Sequence, residues 1–144
     1  FYFTIPYKPV NEPERNINST IIKSNKKTLL VAEDEEYNFL LIEELLIDLD
    51  YLLIHAKNGQ EAIDICEANP SVELVLMDIK MPVLSGDIAA KKIKEIRPGL
   101  PIIAQSAYGL EHEIKKYSGI FDDYVTKPFD EDQLISKINQ YMLK

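Results

Sequence analysis

Leu74–Gly86, LVLMDIKMPVLSG, decides the fold. An apolar run, Val72 with Leu74, Val75, Leu76 and Met77, ends in the carboxylate of Asp78, and a turn marked by Pro82 and Gly86 follows. A short, nearly unbroken apolar run bounded by turn residues reads as a strand buried on both faces. Pro82 has no backbone N–H to give a ladder, so the chain turns there. In an open parallel sheet, ligands gather at the carboxyl ends of the strands. Asp78 is therefore expected as the last residue of a central strand, presented to solvent at the reactive edge.

Working outward, strand and helix patterns alternate. Leu29–Ala32 reads as a first buried strand, and Phe39, Leu40, Ile42, Leu45, Leu46 and Leu49 then recur at helical spacing. Leu52–Ala56 is a second strand, and Asn58-Gly59 turns into a helix that carries Ala62, Ile63 and Cys66 inward. After the Asp78 strand, Ile88, Ala89, Ile93 and Ile96 make a helix ended by Pro98-Gly99. Pro101–Gln105 is a fourth strand, Gly109–Tyr117 a short helix and Phe121–Thr126 a fifth strand. The last helix, capped by Asp130, places Leu134, Ile135, Ile138, Tyr141 and Met142 on one face. Five alternations with short connections predict an α/β domain, a parallel sheet covered by helices on both faces.

Composition narrows the function. Of 144 residues, 46% are hydrophobic and 28% charged, the profile of a globular domain with one core. A formal charge of −8 argues against electrostatic capture of nucleic acid or an anionic membrane surface. The lone cysteine, Cys66, excludes an internal disulfide and fits a reducing, cytoplasmic setting. It falls on an apolar helical stripe, which marks it as core. No apolar run reaches the roughly 20 residues that span a bilayer. The opening FYFTIPYKP, with neither an initiator Met nor a signal peptide, is expected to come from the interior of a longer protein. Residues 1–7 look strand-like, residues 8–26 are polar and Pro-containing like a linker, and the regular pattern occupies residues 27–144.

Chemistry-bearing side chains recur where strands end. Glu33 and Asp34 follow the first strand, Asp78 closes the third, Ser106 follows the fourth, and Lys127 follows the fifth. A parallel sheet brings all these ends to one edge. Strand ends are polar in any protein, but two acids, a third acid, a hydroxyl and a lysine on four different strands form a constellation. Gathered carboxylates repel one another and their pKa values rise unless a cation lies among them. Glu33, Asp34 and Asp78 suit a hard divalent ion with water completing its shell, and so few carboxylates favour Mg²⁺ over a Ca²⁺ cage. Pro128 fixes the loop directly after Lys127 and so aims a long, flexible cation.

These residues resemble the receiver domain of two-component signalling, the response-regulator fold. The resemblance rests on Glu33-Asp34, on MDIKMPVLSG around Asp78, on Ser106-Ala107 and on Lys127-Pro128-Phe129, and it runs from about Lys27 to the C-terminus. It implies a flavodoxin-like (βα)5 fold with parallel strands in the order 2-1-3-4-5. It implies that Asp78 is the phosphoacceptor, that Asp34, Asp78 and the backbone carbonyl of Lys80 hold Mg²⁺, and that Glu33 acts mostly through a water. Ser106 and Lys127 would contact the phosphoryl group, and Tyr124 falls on the aromatic switch position, on the face made by the fourth helix, the fifth strand and the last helix. Glu33 stands where many members have a second aspartate, and Tyr108, two places after Ser106, is expected near the mouth of the site.

The implied partner is a histidine kinase or a histidine phosphotransfer domain, with a homodimer left open. The segment itself is expected to make no contact with nucleic acid or membrane. FYFTIPYKP resembles the last strand of a histidine-kinase ATP-binding domain, which implies a hybrid sensor kinase whose catalytic core lies upstream, its parent chain anchored in the inner membrane. His55, in a strand, and His112, on a helix, are not phosphorelay candidates. The alternative is a pseudo-receiver that binds partners without phosphorylation; the intact acids, Ser106 and Lys127 speak against it. A nucleotide-hydrolysing enzyme is disfavoured because none of the five glycines forms a phosphate-binding loop.

Overall fold

A computed structural model describes residues 26–107 and 110–142. The strand-like segment 1–7, the linker apart from Lys26, and Tyr108 lie outside the described residues. Five strands, β1 (Lys27–Ala32), β2 (Tyr51–Ala56), β3 (Val72–Asp78), β4 (Ile102–Ser106) and β5 (Asp123–Thr126), form one sheet. They alternate with five helices, α1 (Glu36–Leu45), α2 (Gly59–Ala68), α3 (Gly86–Ile96), α4 (Leu110–Lys116) and α5 (Glu131–Met142). All four strand pairings are parallel, in the order β2-β1-β3-β4-β5. This is the doubly wound order expected from the resemblance.

Two apolar layers sandwich the sheet, and strand alternation assigns residues to them. Leu30, Ala32, Val75, Met77 and Ile102 pack against Ala62, Ile63 and Cys66 of α2 and Ala89, Ala90 and Ile93 of α3. Leu29, Val31, Leu74, Leu76, Ile103 and Val125 pack on the other face against Ile42 of α1 and Leu134, Ile138 and Met142 of α5. Both faces of β1, β3 and β4 are covered, which is why the runs Leu29–Ala32, Leu74–Met77 and Ile102–Ala104 are apolar without interruption. Cys66 sits in the core at 1% exposure, and burial pushes its thiol up to about 11. The helix starts follow local chemistry. Asn58 accepts the Glu61 N–H at 2.9 Å, and Asp130 accepts the Asp132 N–H at 3.0 Å.

The structure corrects several boundaries. α1 ends at Leu45, and Leu46–Leu49 form turns, although Leu46 still reaches the core. Leu40 and Ile88, counted among the apolar residues at helical spacing, are exposed, because the buried stripes run through Ile42 and through Ala89, Ala90 and Ile93. Ile96, at the end of α3, is also exposed. β4 starts after Pro101, which lacks the donor, and it includes Ser106. β5 starts at Asp123 rather than Phe121. There the Asp122 carboxylate accepts the Ile102 N–H at 2.7 Å, so a side chain takes the place of a ladder bond.

The β3–α3 loop is fixed by two glycines. A Cβ on Gly86 would lie 2.0 Å from the Asp78 carbonyl oxygen, and one on Gly59 would lie 2.3 Å from the Leu84 carbonyl oxygen. Each glycine instead donates its own N–H to this loop, Gly86 to Ile79 at 2.7 Å and Gly59 to Leu84 at 3.1 Å. Between them Val83 has φ +67°, and the Leu84 N–H closes a γ-turn onto Pro82 at 2.7 Å.

Candidate functional site

β1, β3, β4 and β5 each send a chemistry-bearing residue to one edge of the sheet. There Glu33, Asp34, Asp78, Lys80, Ser106 and Lys127 line a cleft of about 220 Å³, together with Asn38 and Gln105. Each of Glu33, Asp34 and Asp78 offers one carboxylate oxygen, and the three oxygens lie within 4.8 Å of one another. Glu33 is fully buried and Asp34 is exposed. Asp78 ends β3 as expected, but it is only 7% exposed rather than presented to solvent. The lysine and the strand-end loops close over it.

Lys127 holds this acidic cluster together. Its Nζ donates to Glu33 Oε1 at 3.0 Å and to Asp78 Oδ2 at 3.1 Å. The Lys127 N–H donates to the Ser106 carbonyl at 2.7 Å, which extends the β4–β5 ladder by one bond and sets the direction of the side chain. The Lys127–Pro128 peptide is cis. Burial, and then the neighbouring Asp78 charge, raises the pKa of Glu33 above the usual carboxylate range, and the bond from Lys127 only partly offsets them. Burial alone would lower the pKa of Lys127, but the charges of Asp78 and Glu33 outweigh it and hold the ammonium above its ordinary value. The site thus keeps one buried cation between two carboxylates.

The backbone around the acids is braced by groups the sequence reading passed over. His55 Nε2–H donates to the Glu33 carbonyl at 2.8 Å, and its ring stacks on Phe39 at 3.9 Å. A histidine inside an otherwise apolar strand was the available signal. The Glu35 N–H donates to Glu33 Oε2 at 3.2 Å, and the Lys80 N–H to Asp78 Oδ1 at 3.3 Å. Gln105, the one amide in the PIIAQ strand, lies on the cleft wall beside Asp78 in register.

Ser106 is buried at the end of β4. In register Ala104 faces Tyr124 and Ser106 faces Thr126, so Ser106 lies on the same side of the sheet as Tyr124, one step of the alternation further along. Tyr124 is half-buried, edge-on to Phe121 at 5.8 Å, and its hydroxyl donates to the Tyr117 carbonyl at 3.4 Å. His112 is exposed on α4, away from the cleft lining.

Fold and site together define the class: a doubly wound α/β domain whose chemistry lies at the carboxyl ends of its strands, around an acidic cluster and a lysine. The chain belongs to the response regulator receiver domain family, which matches residues 29–139, and it is a receiver domain of two-component phosphorelay signalling. Among its relatives is the Autoinducer 1 sensor kinase/phosphatase LuxN of Vibrio campbellii, 35% identical over 107 residues. That match covers 74% of this chain but 12% of LuxN, so the chain spans only a small part of this relative.

Among solved structures, the receiver domain of sensor histidine kinase PA1611 from Pseudomonas aeruginosa superposes with a TM-score of 0.75 at 28% identity. The match covers 83% of this chain and 99% of that one, and a magnesium ion is coordinated in the active-site cleft of that protein. The receiver domain of Ssk1 from Saccharomyces cerevisiae, solved with the histidine phosphotransfer protein Ypd1, gives a TM-score of 0.71 at 28% identity, covering 81% and 88%. Among the described residues, no helix is long and apolar enough to cross a membrane.

Proposed function

We propose that Asp78 is the phosphoacceptor of this receiver and that it takes a phosphoryl group from a phosphohistidine on a partner. The observation that carries the reading is the Lys127 ammonium bridging Asp78 and Glu33 inside a cleft lined by three carboxylates. That cluster fits a hard divalent cation in its donor atoms and their spacing. Glu33, Asp34, Asp78 and the backbone carbonyl of Lys80 are the groups that would hold Mg²⁺, as the magnesium-bound PA1611 receiver supports. When bound, the ion supplies neutralisation of the negative charge that accumulates on the phosphoryl oxygens.

The remaining steps belong to the chain itself. An Asp78 carboxylate oxygen attacks phosphorus in line with the P–N bond. The new O–P bond forms as the P–N bond breaks, and its electron pair stays on the imidazole nitrogen. Charge spreads over the phosphoryl oxygens in a loose transition state, so positioning and neutralisation carry the catalysis. Lys127 Nζ already lies 3.1 Å from Asp78 Oδ2 and can follow that charge onto the phosphoryl group. The acyl phosphate adds about −1.5 to −2 charges. Ser106 then turns toward it, and Tyr124, on the same side of the sheet, moves into the space vacated and reshapes the α4–β5–α5 face.

The Ssk1–Ypd1 complex supports a histidine phosphotransfer domain as donor, and the sensor-kinase relatives support a hybrid histidine kinase as the parent chain. In that reading residues 1–7 close an upstream ATP-binding domain, residues 8–26 link it to the receiver, and the receiver works in the cytoplasm. Incubation with acetyl phosphate and Mg²⁺ tests the central step. The wild-type chain is expected to acquire an acid-stable, base-labile phosphoryl label, and the Asp78→Asn variant none. Equal labelling of both proteins would count against Asp78 as the acceptor, and labelling of neither would return the domain to a phosphorylation-independent binding module.

A further inference from the structure

Gln105 is 1% exposed, and among the described residues its Oε1 is the only buried side-chain nitrogen or oxygen without a hydrogen-bond partner. The amide nitrogen donates to the Leu76 carbonyl at 3.3 Å, which fixes the orientation of the group, since the opposite flip would set two acceptors against each other. An unpartnered buried acceptor is costly, so its position calls for a physical reason. Topology supplies one. Gln105 pairs in register with Asp78 on one side and Val125 on the other. It shares a sheet face with Ile103, Val125 and, by the continued alternation, Lys127.

Lys127 starts beyond β5 and its ammonium bonds Asp78 at the end of β3, so its side chain crosses above β4, the intervening strand, while Glu33 reaches toward it from beyond β1. Gln105 therefore lies beneath the path of the lysine, on the strand between Asp78 and the start of the lysine side chain. An ammonium has three hydrogens, and the carboxylates take two. A dication among Glu33, Asp34 and Asp78 would repel the ammonium and compete with it for the same oxygens. The lysine would then withdraw along its own path, toward β4.

We propose that Gln105 is a positioning residue whose Oε1 accepts the Lys127 ammonium when a divalent cation occupies the acidic cluster. The inference rests on the cation site proposed above. In the cation-free protein the amide oxygen is held in reserve. In the cation-bound protein it replaces the acceptor that Lys127 gives up, and it parks the ammonium where an arriving phosphoryl group can draw it forward. Gln105 thus lowers the energetic conflict between the two cations that share this cleft.

Calorimetric titration with MgCl₂, paired with urea unfolding in EDTA, tests this on wild type, Gln105→Met, Lys127→Met and the double variant. Methionine keeps the volume and removes the acceptor. Gln105→Met is expected to weaken Mg²⁺ binding about tenfold, the scale of one hydrogen bond to a charged group, while its stability in EDTA is unchanged or higher. In the Lys127→Met background the same substitution should leave Mg²⁺ affinity unaltered, because no ammonium remains to be received. Equal Mg²⁺ affinity in wild type and Gln105→Met overturns the proposal. So does a loss of stability that is the same in EDTA and in Mg²⁺, which would mean that a resident water satisfies the amide in both states. A tenfold effect that persists without the lysine overturns it as well. If the wild type itself takes up no Mg²⁺, the cation site fails and this inference falls with it.

Discussion

Replacing Lys127 by methionine keeps most of the buried stem and deletes the charge, which isolates what the ammonium contributes to the metal-free fold. Two charge-assisted hydrogen bonds, at 3.0 and 3.1 Å, disappear and leave the buried Glu33 facing Asp78. Removing one partner of a buried ion pair typically costs about 3–5 kcal/mol. Here a second route limits the loss, because the orphaned Glu33 can take a proton. Bringing a carboxyl from its ordinary 4.5 to its neutral form at pH 7 costs about 3.4 kcal/mol, at about 1.4 kcal/mol per pH unit. The expected destabilisation is therefore about 3 kcal/mol at pH 7 and less than about 1 kcal/mol at pH 5.

The sign follows from the direction of the shift. Burial and Asp78 raise the pKa of Glu33 in the folded protein, and losing Lys127 raises it further. A folded state that holds the proton more tightly than the unfolded chain is most stable at low pH, and it loses stability as pH climbs from the ordinary carboxylate value through the raised one. The pKa of Lys127 is itself raised, so its own stabilisation is fully present below the ordinary lysine range and is lost only as pH rises through its folded value. The wild-type curve should thus be the flatter of the two between pH 5 and 7. Urea unfolding followed by far-ultraviolet circular dichroism, in EDTA at both pH values, measures the gap. A difference below about 0.5 kcal/mol at pH 7, or one of equal size at pH 5, would refute the reasoning, since surface pairs have that worth.

Two further perturbations probe the loop that carries Asp78. Gly86→Ala places a methyl 2.0 Å from the Asp78 carbonyl oxygen, so backbone must shift, at a cost of about 3 kcal/mol measured as a lower urea midpoint; an unchanged midpoint would show that the loop yields freely. Val83→Gly should act in the opposite direction. This exposed β-branched residue sits at φ +67°, and relief of strain of about 1–3 kcal/mol exceeds the roughly 0.5–1 kcal/mol that glycine costs through chain entropy, so thermal unfolding should move upward. A lower melting temperature would argue that the Val83 side chain makes contacts worth more than the strain.

Much of this protein was legible before any coordinates. Apolar runs ending in Asp78 and beginning at Leu29 need cover on two sides, and only helices crossing over a parallel sheet provide it, so the alternation fixed the architecture. The strand-end positions of Glu33, Asp34, Asp78, Ser106 and Lys127 then follow, because parallel strands share one carboxyl edge. Boundaries were less legible where a side chain stands in for backbone. The Asp122 carboxylate on the Ile102 N–H delays β5, and nothing local in FDDYVT announces that bond.

What linear order could not supply is distance across strands. That Lys127 and Glu33 meet across two intervening strands, that Asp78 is nearly enclosed, and that Gln105 is left with an empty acceptor are outcomes of register and side-chain reach in the packed molecule. Gly86 carries the same lesson. Its spacing from Asp78 marks a turn, but only the close approach of two backbones explains why a single methyl has no room there. Periodicity is a property of the chain and can be read along it. The balance of charge in a buried cleft depends on groups that are up to 94 residues apart in sequence, and only folding brings them together.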